Sequence, residues 1–107
     1  MLTAWLSAFL FTQVVEVPIY RGLAKVGWLP AFGASALTHP IVWFVIPRLW
    51  PGSYWGMVAV AEAFAIVTEA LYLGLAFEVK RPLLWALIAN AASAGLGLLS
   101  RTAFGWP

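Results

Sequence analysis

The chain has 107 residues, 64% of them hydrophobic and only 9% charged, with a formal net charge of +2. A soluble domain is usually about a quarter charged, and a chain this short cannot hide so much apolar surface in one core. Composition therefore argues against a water-soluble helical domain and for an all-α, polytopic integral membrane protein. Its six basic residues sit singly or in pairs at segment ends, which suits phospholipid headgroups and not nucleic acid. The absence of cysteine removes disulfides, thiol nucleophiles and thiolate metal sites.

The first apolar run has no basic residue before it and continues past Gln13 and Glu16 to Tyr20. It reads as a retained first span, about 2–20, rather than a cleaved signal. Arg21, Gly22 and Lys25 mark a short polar turn, and the second span covers about 28–50. Pro51-Gly52-Ser53 is a turn signal, the third span covers about 54–77, and Glu78, Lys80, Arg81 and Pro82 end it. The fourth covers about 83–104. Each has the roughly twenty residues that a hydrocarbon layer of about 30 Å requires. The short connections make consecutive helices antiparallel neighbours, so residues 1–107 form one antiparallel four-transmembrane-helix bundle.

Four basic residues (Arg21, Lys25, Lys80, Arg81) share one side and two (Arg48, Arg101) the other. This places both termini outside the cytoplasm, in the plasma (inner) membrane of a prokaryote. Trp5, Trp50, Trp55, Trp106 and Tyr54 fall at one predicted interface and Trp28, Trp85 and Tyr20 at the other, the depth that amphipathic rings prefer. The segments EVPIYRGLAKV (16–26) and EALYLGLAFEV (69–79) hint at a parallel repeat of two helical hairpins. One shift aligns Tyr20 with Tyr72 and Gly22-Leu23-Ala24 with Gly74-Leu75-Ala76; further on, Ser35 and Thr38 answer Asn90 and Ser93.

The third span carries Glu62 and Glu69, seven positions apart. Seven residues is about two turns, so both point the same way, roughly 10 Å apart along the axis. A carboxylate facing lipid is costly, so both are expected to face protein or a wet cavity. The other helices answer with Gln13 and Glu16, His39, and Asn90 with Ser93. Glu16, Glu69 and Asn90 are expected to share one layer, with His39 and Ser93 near the midplane and Glu62 at the far end.

Three chemistries suit the core Glu16, His39, Glu62, Glu69, Asn90 and Ser93. Carboxylates and imidazole in a row form proton relays in pumps and transporters. The same His39, Glu16, Glu62 and Glu69 are the ligand types of a divalent-metal site, although the Glu-x-x-His signature of carboxylate-bridged bundles is absent. Plain interhelical hydrogen bonding accounts for Gln13, Asn90 and Ser93, and snorkelling toward Arg21 would account for Glu16. Pro18 and Pro40 each remove a helical hydrogen bond beside an ionisable side chain, which kinks the helix or frees a carbonyl. Trp43 and Tyr72 are candidate pocket-lining rings. Ala91, Ala92, Ala94, Gly95 and Gly97 permit close backbone approach, within the protomer or across a homodimer.

No nucleophile elbow, phosphate loop or zincin motif is present, so the sequence leans away from an enzyme while leaving the question open. Length and span count resemble those of the small multidrug resistance transporters, which also place a Glu in the first helix; the two further Glu residues and the central His39-Pro40 depart from that pattern. The expectation is a transporter or channel-like protein coupled to protons or a cation. The alternatives are a metal-binding intramembrane protein or enzyme, and a non-catalytic accessory subunit of a larger membrane complex.

Overall fold

The computed structural model describes residues 2–107. Among them it contains four long helices and no strand: α1 (Leu2–Ala24), α2 (Trp28–Leu49), α3 (Tyr54–Phe77) and α4 (Pro82–Phe104). All four are long and apolar enough to cross a membrane, and together they fit a small membrane protein. Their ends have local causes. The Ser53 hydroxyl accepts from the Gly56 N–H at 3.1 Å and caps α3. Pro82 opens α4, where its missing N–H costs nothing, and Gly105 closes it in the left-handed conformation.

The second to fourth helices match the expected spans within one residue, and the first does not. It was expected to stop at Tyr20, but the helix continues to Ala24 through a widened turn in which the Lys25 N–H donates to the Tyr20 carbonyl. Arg21 does not break it, because the guanidinium donates to the Val26 carbonyl at 3.2 Å and lies 4.5 Å over the Trp28 ring. A second widened turn, Ile41–Val45, interrupts α2. The two follow closely on Pro18 and Pro40, where the regular bonding ladder is already interrupted.

The helices pack in a ring, α1 on α2, α2 on α3, α3 on α4 and α4 on α1. Thus α1 faces α3 across the centre. The inside is small or polar: seven of the ten buried hydrophobic residues are alanines, and Gln13, Glu16, Ser35, Thr38, Glu69, Asn90 and Ser93 are buried with them. The outside is apolar, with Leu29 and Leu75 each 80% exposed. In lipid, hiding apolar side chains contributes little to helix association, whereas close backbone approach and interhelical hydrogen bonds contribute directly. That is the interior found here.

At the end nearest the loops 25–27 and 78–81, Tyr20, Val26, Ala31, Ala34, Leu73 and Ala89 form a continuous core, with Val79 and Trp85 packed on it. Tyr20 therefore does not sit at an interface as expected; it is fully buried. Trp5 differs too: its ring stacks on Phe9 at 5.2 Å, tilts against Phe44 and His39, and its indole N–H is buried.

Candidate functional site: a carboxyl pair at the foot of an axial cavity

The polar residues meet because each helix turns its small or polar stripe to the centre. On α2 the buried positions are Ala31, Ala34, Ser35 and Thr38; on α4 they are Ala86, Ala89, Asn90 and Ser93, in the same spacing. On α1 and α3 the central carboxylates are Glu16 and Glu69, each 1% exposed.

Ser93 donates to Glu16 Oε2 at 2.5 Å and Thr38 donates to Glu69 Oε2 at 2.7 Å. Each carboxyl is thus held by a hydroxyl from the other hairpin. Glu69 Oε1 also accepts from the Tyr20 hydroxyl at 2.6 Å and from Asn90 Nδ2 at 3.2 Å. Both carboxyls line the same cavity, on helices that face one another across the centre. Glu16 Oε1 is buried with no hydrogen-bond partner among the described residues. The partners of both carboxyls are hydroxyls and one amide, none of them a cation. Two anions about 4 Å apart repel by about 4 kcal/mol even at an effective dielectric constant of 20. Repulsion of this kind favours a buried carboxyl pair that shares a proton or a cation.

A cavity of about 220 Å³ leads to this pair. Tyr54, Arg101 and Pro107 line its mouth, beside the loop between α2 and α3. Phe11, Val58, Trp43 and Leu98 line the upper wall; Thr12, His39 and Glu62 come next; Glu16, Glu69 and Asn90 form the foot. At about 30 Å³ per molecule the volume suits roughly seven waters.

Of the residues expected in the site, Glu16, Glu69, Asn90 and Ser93 come together directly, and Glu62, His39 and Trp43 line the same cavity. His39 Nε2 lies 3.4 Å from Thr12 Oγ1, while Nδ1 is buried and unpartnered; the ring packs with Phe9 and Trp43. Pro18 and Pro40 shape the helices and do not line the cavity. Tyr72 is likewise outside it, turned to donate to the Pro30 carbonyl at 3.1 Å. Snorkelling of Glu16 toward Arg21 is overturned, since the carboxyl is buried on Ser93 and the guanidinium is engaged elsewhere. Asn90 and Ser93 make the interhelical hydrogen bonds expected of them, and their partners are the two carboxyls. No group of three or more potential metal-ligating side chains forms among the described residues.

Tyr20, Thr38 and Thr12 belong to the site without having been singled out for it. Tyr20 lies one helical turn after Glu16, and Thr38 directly precedes His39, so spacing alone was compatible with each. Compared with known proteins, the chain matches no family model, no curated sequence and no solved structure.

Proposed function

We propose that the protein is an antiparallel four-helix membrane-spanning protein that moves protons, alone or together with a solute small enough for the cavity. The observation that carries this reading is a cavity lined at its foot by two buried carboxyls, one with a bare oxygen. Such an oxygen is satisfied by a hydrogen that it carries or shares. Glu62, partway up the wall, is a step between the mouth and the pair. With the basic loops in the cytoplasm, the cavity opens to the outside of a prokaryotic inner membrane.

The test is flux. The purified chain in liposomes, with a pH-sensitive dye inside, is expected to carry protons down an imposed gradient. Glu69→Gln keeps the shape and removes the titrating group. It is expected to abolish flux while the helical signal and detergent-solubilised size are unchanged. Equal flux in Glu69→Gln would refute the reading.

A further inference from the structure

The foot of the cavity is a thin layer. Tyr20 and Leu73 fill it, both with no exposure, and Val26 and Val79 pack against them. Beyond that layer lies a depression of about 540 Å³ between the loops 25–27 and 78–81. Val26 and Val79 belong both to the layer and to the wall of this depression. A buried cluster of side chains that includes Tyr20, Leu73, Val26 and Val79 therefore lies between the two hollows.

The layer is built twice over. The Tyr20 carbonyl accepts from the N–H groups of Lys25 and Val26, and the Leu73 carbonyl accepts from those of Glu78 and Val79. Lys25 and Glu78 both take the left-handed conformation, with φ of 60° and 54°, which costs a non-glycine residue about 1 kcal/mol. In this register Glu16 matches Glu69 and Tyr20 matches Leu73. The sequence alignment of Tyr20 with Tyr72 is thus one residue out. The equivalence is broken at one point: the Tyr20 hydroxyl reaches across to Glu69, and Leu73 has nothing to offer Glu16.

We propose that Tyr20 is a gate, and that the depression behind it is the second mouth of a single pathway. The purpose of the gate rests on the proton reading above; its geometry does not. The hydroxyl latches on Glu69 by a hydrogen bond that is strongest while the carboxylate is charged. Neutralising Glu69 from the cavity side weakens the latch. Tyr20 opens the widened turn, so its ring can swing without breaking a regular helical bond. Around the second mouth stand Lys25, Lys80, Arg81 and Glu78.

The chain contains no cysteine, so single cysteines can report on the gate. Ala65→Cys places a thiol in the cavity wall, and Lys25→Cys and Ser53→Cys mark the two faces. The full chain is placed in lipid vesicles and exposed on one face to a membrane-impermeant methanethiosulfonate. Ala65→Cys alone is expected to react from the Ser53 face and to be shielded from the Lys25 face. Adding Tyr20→Phe, which keeps the ring and loses the latch, is expected to raise reaction from the Lys25 face about tenfold, the worth of one hydrogen bond to a charged group. Adding Tyr20→Ala is expected to raise it further. Normal reaction from the Ser53 face shows that each variant is folded; continued shielding from the Lys25 face in both Tyr20 variants would then overturn the gate. Labelling does not depend on flux. Exposure in the Tyr20 variants with no wild-type flux would overturn the proton reading alone, and flux with unchanged shielding would overturn the gate alone.

Discussion

Ser93→Ala is expected to destabilise the protein more than Thr38→Val, although the two hydroxyls hold equivalent carboxyls. Thr38 is one of three donors to Glu69; with it gone, Tyr20 and Asn90 remain. Interhelical hydrogen bonds in membrane proteins average about 0.6 kcal/mol, so Thr38→Val should cost roughly that amount, about 0.5–1 kcal/mol. Among the described residues Ser93 is the only donor to Glu16, whose other oxygen has no hydrogen-bond partner there. Its loss leaves a buried carboxyl with no hydroxyl or amide donor, a penalty of about 1–3 kcal/mol, and we expect about 2 kcal/mol. The measurement is the unfolding equilibrium in mixed micelles of mild detergent and dodecyl sulfate, followed by far-ultraviolet circular dichroism for wild type, both single variants and the double. A cost for Thr38→Val equal to or above that for Ser93→Ala would refute the asymmetric donor arrangement. The double variant tests whether the carboxyls act as a pair: strict additivity would mean that they do not.

Two further expectations concern packing and capping. A Cβ at position 33 would stand 2.5 Å from the Tyr72 hydroxyl, so Gly33→Ala should cost about 1–2 kcal/mol by overpacking. Adding Tyr72→Phe removes the clashing atom and should recover most of that loss; additive costs in the same unfolding assay would show that the two residues do not touch. Ser53→Ala removes the cap of α3 and should cost about 1 kcal/mol without altering proton flux, and a change in flux at unchanged stability would contradict a purely capping role.

Hydropathy and turn chemistry made the four helices legible in the chain, with α3 located at its observed ends by Ser53 and Glu78. They did so because helix length, caps and apolar content are properties of neighbouring residues. The central role of Glu16, Glu62 and Glu69 was legible for the same kind of reason, since a carboxyl in an apolar helix must face inward whatever the fold.

Tertiary structure decided which of these groups meet. Tyr20 reads as an interfacial ring beside Arg21, but the widened turn after Pro18 carries the helix past it and buries it against Glu69. Tyr72 reads as its counterpart, but the register is set one residue further on, at Leu73, and Tyr72 turns to Pro30 instead. Thr38 and Ser93 look like ordinary helix contacts until the ring of helices brings them to carboxyls on the opposite hairpin. The sequence by itself determined what each helix must hide. The rotation of each helix about its own axis, and its height relative to the others, depend on how small-residue stripes interlock between segments far apart in the chain. Only the packed structure could therefore show one carboxyl held by three donors and the other by one.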